Sequence, residues 1–381
     1  MTDDAVEISP DTWEYRLVAA VVYAVEQRAG GVAADARTRW NGRLLESEDP
    51  DFLGFAEVDG SVSVSVANVL EPLRRVRDLD RALTDDEAWE VRDAFATLTH
   101  EAAHLLAENG DEQAPDAYPY DAAAEAFNEG RTEHWTHLNL DNVVRDVFPD
   151  AGLEHAQVAV MSQSNDDAYA AYTPAARHLD QALATRSGLT DAQVTQKLMC
   201  ADDLQRWNVA VDLVIDERFV KPGLMPEAHR AEVRKELVAP LRDSLAGLVA
   251  VEADESVGDD EKAAESMKAA RSAVAELDHE LNRIERKYRI DKAERAQQQA
   301  SRPASRRNQA VRQAEQDLPP NLRRLRALTD PQAPAAGATK RGTDVADHAP
   351  SSRGDGARAR GQQASRPQSA GPNQPPSPQR G

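Results

Sequence analysis

A single cysteine, Cys200, stands among the 381 residues. No disulfide can form within the chain and no thiolate-rich zinc cluster can be built, so any metal chemistry here must use histidines and carboxylates. Cys200 itself, beside Met199, reads as a small buried hydrophobe. Aromatic residues are scarce, at 5 Trp, 7 Tyr and 6 Phe, and all fall between Trp13 and Tyr288. A packed core is not expected after Tyr288. Nowhere does the chain approach the roughly 18 consecutive apolar residues of a membrane-spanning helix. Its first residues, from Met1 to Glu7, are acidic where an export signal is basic and then apolar. The expectation is a soluble, cytoplasmic protein.

Positive charge is short overall, with 45 Lys and Arg against 66 Asp and Glu. The deficit is uneven: residues 301–381 carry a net charge of +8 and residues 1–300 one of −29. An anionic body repels phosphate backbones, which makes nucleic acid a poor partner for it. The basic tail can make only weak, salt-sensitive contacts with polyanions.

What is present is mostly helical pattern. Asp11-Thr12 can cap an apolar stretch from Trp13 to Gln27, which Gly30-Gly31 ends. Between Phe52 and Val66 an Asp59-Gly60 turn joins two runs, the second alternating Val62, Val64 and Val66 with serines, which predicts a hairpin. From Leu70 to the mid-240s apolar residues recur at spacings of three and four. After Asp260 a heptad seam runs through Ala263, Met267, Ala270, Val274, Leu277, Leu281, Ile284 and Tyr288. It fits either a long helix laid on its own domain or a coiled coil that makes a homodimer. Eleven of the 21 prolines follow Arg302, and 303–381 reads as a disordered, basic tail rich in Pro, Ala, Arg and Gln.

The strongest chemical signal is His100-Glu101-Ala102-Ala103-His104. On a helix, residues i and i+4 point the same way, so two imidazoles can grip one ion while the glutamate between them faces the ligand position. The helix itself is well signalled. Thr84 and Glu87 form a capping box, apolar residues continue at helical spacing through the motif, and Asn109-Gly110 offers a stop. Catalytic zinc generally takes three protein ligands, so a third must come from elsewhere. The row Glu125, Glu129, Glu133 on a downstream helix can supply it. Gly130 in the same helix marks a place where another backbone comes close. His134 and His137, spaced i, i+3, read as solvated helix residues, with a surface metal as the alternative.

The His100-Glu101-x-x-His104 motif, followed by Asn128-Glu129-Gly130, resembles the gluzincin metallopeptidases, the thermolysin-like and zinc-aminopeptidase group. The resemblance implies Zn2+ as cofactor, His100 and His104 as ligands, Glu129 as third ligand and Glu101 as general base. It places Glu133 where a carboxylate orients the first zinc histidine, and the choice between Glu129 and Glu133 as ligand stays open. Tyr172 and His178 are candidates to stabilise an oxyanion, because such sites often take a Tyr or His from a downstream helix. The Val62 to Val66 strand is expected to be the edge strand that holds a substrate peptide.

The fold expected is mainly α with a small β element. It comprises a zincin-like α+β catalytic domain over 1–250, a long heptad-patterned helix over 258–300 and the tail over 303–381. The function expected is hydrolysis of peptide bonds by a zinc-dependent peptidase. The alternative is a non-catalytic interaction protein on the same scaffold, assembling through the 263–288 helix.

Overall fold

The computed structural model describes residues 6–30, 38–49, 52–165, 167–319 and 322. The described part is mostly helical with one four-stranded sheet. No helix in it is long and apolar enough to cross a membrane.

Helix α1 (Trp13–Gly30) opens where the Thr12 hydroxyl accepts the Tyr15 N–H at 3.3 Å. It buries Leu17, Val21 and Val25 in the same apolar core as Leu44, Val62 and Val64. The hairpin is present as β3 (Gly54–Ala56) and β4 (Val62–Ser65), and Gly60 in its turn takes φ +89°. Two further strands, β1 (Val6–Glu7) and β2 (Leu44–Ser47), complete the order β1-β2-β4-β3. Strand β2 runs parallel to β4, and the other two pairings are antiparallel. This corrects the expected role of the valine strand. Val62–Ser65 is paired on both sides and buried along its whole length, so it has no free backbone groups to offer. The edge strands are β1 and β3, and β3 is the one that pairs with β4.

After α2 (Glu71–Arg77), helix α3 (Asp85–His104) starts at the expected capping box. Thr84 Oγ1 accepts the Glu87 N–H at 3.2 Å, and Glu87 Oε2 accepts the Thr84 N–H at 2.9 Å. It ends at His104, several residues short of Asn109-Gly110. The physical cause is Arg39. Its backbone N–H donates to Leu105 O at 2.8 Å and its Nε to Ala107 O at 3.0 Å, so carbonyls beyond the helix end are satisfied from outside. The same guanidinium donates to Glu57 O at 2.6 Å. Asn109 Nδ2 donates to Val58 O at 2.8 Å. The end of α3 and the β3 side of the hairpin are thereby tied together.

Helix α4 (Ala122–Ala151) is capped by Asp121, whose carboxylate accepts the Ala123 and Ala124 N–H groups. It belongs to two apolar cores at once. Leu140, Val144 and Phe148 pack with α1, the sheet, α3 and α5 (Glu154–Met161). Ala123, Ala126 and Phe127 pack with α6 (Thr173–Ser187), α7 (Asp191–Met199), α8 (Arg206–Ile215) and α9 (Arg230–Leu245). A short helix, α10 (Leu248–Glu252), leads to α11 (Asp259–Gln316).

The long helix is laid on its own domain, the first of the two arrangements the seam allows. Among the described residues its buried ones are Lys262, Ser266, Ala270, Ala273, Leu277, Leu281, Ile284 and Tyr288, all but Lys262 and Ser266 part of the second core. They repeat every eleven residues: 266, 277, 288; 270, 281; 262, 273, 284. Eleven residues over three turns is 3.67 per turn, close to a straight helix, whereas a heptad repeat imposes a left-handed supercoil. Ala263, Met267 and Val274, which the heptad includes, are only half-buried. Polar anchors run along the same face: the Ala175 N–H donates to Ser266 Oγ at 2.9 Å, Arg186 Nε to Asp278 at 2.7 Å and Arg218 Nε to Glu285 at 2.7 Å. The seam on which a coiled-coil homodimer was to rest is therefore covered within the chain.

The boundary expected at 300–303 also moves, because α11 continues to Gln316. From Ala304 to Leu318 the sequence lacks proline and is rich in the helix formers Ala, Arg and Gln. The tail proper, from residue 323, lies outside the described residues. The chain divides into two compact units, Met1–Ser305, which holds both apolar cores, and Arg306–Gly381, whose described part is mainly the end of α11. Leu281→Ala is expected to destabilise the chain by about 2–5 kcal/mol in urea unfolding, as for a core leucine. A cost near zero would mean that α11 stands free of the domain.

Candidate metal centre

The site forms where the last turn of α3 lies against α4. His100 and Glu101 are 5% and 8% exposed, and the two helices run antiparallel, so that His100 meets Glu129 and Glu133 while Arg92 meets Asp141 at 2.8 Å. Close approach is possible because Gly130 has no side chain. A Cβ there would stand 2.6 Å from the Tyr172 carbonyl carbon and oxygen, the backbone contact that the glycine signalled.

Three donor atoms converge. His100 Nε2, His104 Nε2 and Glu129 Oε2 form a triangle with sides of 3.1, 3.2 and 3.3 Å. Ligands held about 2.0–2.1 Å from a tetrahedral zinc lie roughly 3.3–3.4 Å from each other. The triangle is thus close to one face of such a tetrahedron. Among the described residues this is the one group of at least three His, Cys, Asp or Glu arranged to hold an ion. Glu133 is not part of it. Its Oε2 instead accepts from His100 Nδ1 at 2.9 Å, which in the neutral ring leaves the His100 lone pair on Nε2, facing the triangle.

The carboxylates around these groups favour positive charge. Burial alone pulls the His100 pKa down, but hydrogen bonds to Glu129 and Glu133 outweigh it and push the imidazole up to about 10. Burial raises Glu129 and Glu133, yet the surrounding histidines hold both well below the usual carboxylate range. The cluster stabilises positive charge, which either protons or a metal can supply. Two imidazole nitrogens and one carboxylate suit zinc.

Glu101 faces the same space. It lines an open cavity of about 750 Å³ together with His104, Glu129, Tyr169, Tyr120, Phe55 and Ala56. Its pKa is raised by burial, against the pull of His100 and His104, and the Ala56 backbone N–H bonds its carboxylate. Gly54 on β3 presses on this side chain, since a Cβ there would lie 2.8 Å from Glu101 Cγ. The edge strand therefore forms one wall of the cavity.

Tyr172 and His178 are not in the cavity wall. Tyr172 Oη reaches Glu125 Oε1 at 3.5 Å, and His178 sits on α6 with its pKa lowered by burial, Arg271 and Arg186, which places it toward α11. The tyrosine at the site is Tyr169, one turn earlier. Its ring stacks on His100 (centroids 5.7 Å) and on Tyr172 (5.6 Å), and its phenol bonds Glu129. Burial, with the carboxylates around it, raises its pKa, so it remains a donor. Only its place beside Tyr172, in Tyr169-Ala-Ala-Tyr172, could have signalled it. His134 and His137 are also unlike their expectation. His134 is 6% exposed and burial lowers its pKa to about 4, while His137 Nε2 bonds Glu133 Oε1 at 2.9 Å.

Comparison of the chain with protein-family profiles, with curated proteins and with solved structures found no match in any of the three.

The proton on His100 has a pH consequence. Its pKa is raised above the ordinary 6.5, so the stability it contributes to metal-free protein is fully present below about pH 6.5 and is lost as pH rises through about 10. Chelator-treated protein is expected to melt progressively lower over that window. Added zinc should raise the melting temperature more at pH 8 than at pH 6, because the metal must displace that proton. A zinc effect that does not grow with pH would contradict this.

Proposed function

We propose that the chain is a zinc-dependent metallopeptidase of gluzincin type. His100, His104 and Glu129 would hold the ion, with Glu101 as general base. The observation that carries this is the triangle of three donor atoms with zinc-like spacing, opening into the same cavity as the carboxylate of Glu101. A zinc ion held there supplies a Lewis acid that polarises the scissile carbonyl and makes a water acidic near neutral pH.

The chain's own residues then divide the work. Glu101, raised by burial and steadied by the Ala56 N–H, takes a proton from the attacking water and passes it to the leaving amine, so that the C–N bond breaks into a carboxylate and an amine. Tyr169, held protonated beside Glu129, takes the role first given to Tyr172 or His178 and donates to the oxygen that gains charge. β3, at one edge of the sheet, contributes Phe55 and Ala56 to the cavity wall, along which an extended peptide would lie. The reading as an interaction scaffold that assembles through 263–288 has less support, because that seam is buried inside the chain.

Glu101→Gln is expected to keep about one zinc per chain and to lower casein cleavage by about 10²–10⁴; unchanged cleavage would sink the assignment. Tyr169→Phe should retain zinc and lower kcat by about 10²–10³ with a small effect on KM, measured with one peptide substrate.

A further inference from the structure

Glu133 has a second set of partners that the metal centre does not explain. Its side chain is 6% exposed, and its two oxygens are fully engaged. Oε2 accepts from His100 Nδ1 at 2.9 Å, while Oε1 accepts from His137 Nε2 at 2.9 Å and from the Ala168 N–H at 3.2 Å. His137 lies one turn beyond Glu133 on α4 and is fixed at its far side too. Its Nδ1 is 3.3 Å from Asp167 Oδ1, and that oxygen is 3.5 Å from Arg177. The line His100, Glu133, His137, Asp167 runs outward from the site. His137 takes no part in the cavity wall.

Resting on the metal-centre reading, we propose that His137 is a positioning residue. It holds Glu133 in the orientation in which that carboxylate fixes the ring and the tautomer of His100. A carboxylate pivots about its Cγ–Cδ bond, and with Oε1 free that rotation carries Oε2 off the His100 Nδ1 direction. The Ala168 N–H alone, at 3.2 Å, is a single long contact; the His137 ring supplies a second at 2.9 Å and is braced by Asp167. His137 is not itself a ligand, since both its nitrogens face carboxylate oxygens. Asp167 and Ala168 directly precede Tyr169, so the backbone that serves Glu133 and His137 also delivers the ring that stacks on His100.

The test is zinc affinity, measured on the full chain by competition with a chromogenic chelator. Outer partners of metal-binding histidines are commonly worth about 10–100-fold in affinity. His137→Leu, which keeps bulk but removes the donor, is expected to weaken zinc binding by about that factor. His137→Gln can still donate to Glu133 Oε1 and should stay within about 3-fold of the natural chain. Leucine binding as tightly as histidine, or glutamine as weakly as leucine in a folded protein, would overturn the proposal. If circular dichroism shows the leucine variant unfolded, Asp167→Asn carries the test: weaker binding supports the proposal and unchanged binding overturns it. A natural chain that takes up no zinc at all overturns the metal-centre reading, and is seen before any variant is made.

Discussion

The structure depends on how α4 neutralises a line of polar side chains that runs from the surface at Asp141 into the interior at Glu133. Glu125, Glu129, Glu133, His137 and Asp141 follow one another turn by turn on one face, all buried or half-buried. Burying an ionised carboxylate costs several kcal/mol unless a partner is supplied. Each has one: the Tyr172 phenol, the His100 and His104 pair, the His100 and His137 rings, and Arg92. Sliding α3 along α4 by one turn would separate the pairs made by Arg92, His100 and His104 at once. The helix register is thus set by charge matching as much as by apolar packing, and the candidate metal centre lies where three donor atoms of these pairs converge.

Around this helix pair, contacts that depend on missing side chains bring the remaining parts close. Gly130 admits the Tyr172 backbone, and Gly54 admits the Glu101 side chain. Arg39 then ties the chain after His104 to the β3 end of the hairpin. The cavity is bounded by a helix terminus, a strand edge and a tyrosine from the approach to α6, each fixed by a separate contact. Its position next to the C-terminus of α3 also suits a cation, since the helix dipole places partial negative charge at that end.

Much of this was legible in the sequence, and what was not has physical reasons. The capping box at Thr84, the Asp59-Gly60 turn and the Gly130 approach are local, and each rests on residues within a few positions of one another. Strands β1 and β2 escaped because two residues show no alternation, and because Leu44–Ser47 pairs with a strand reached by a long connection. The valine strand was placed at the edge because alternation reveals which face is buried, not how many neighbours a strand has. The seam of α11 was read with a period of 3.5 because alanine and valine fill both candidate lines; Ser266 and Ala273, the residues that distinguish them, look unremarkable as apolar positions. Tyr169 and the links of His137 depend on a loop folding back onto α4, a contact between residues some thirty positions apart that no local pattern encodes.

A helix shared by two cores also changes how the protein comes apart. Phe127 anchors α4 in one core and Phe148 in the other. Unravelling either end strips a wall from its own core and disturbs the shared span between them, the span that carries residues 129–137. No cleavage plane is left along which one half could open and leave the other intact, which favours melting as a single cooperative unit. An ion held at mid-span would then be coupled to the whole of the unfolding equilibrium rather than to local fraying. Its stabilisation grows as RT ln(1 + [L]/Kd), so the concentration of free metal would set the thermal endurance of both cores together.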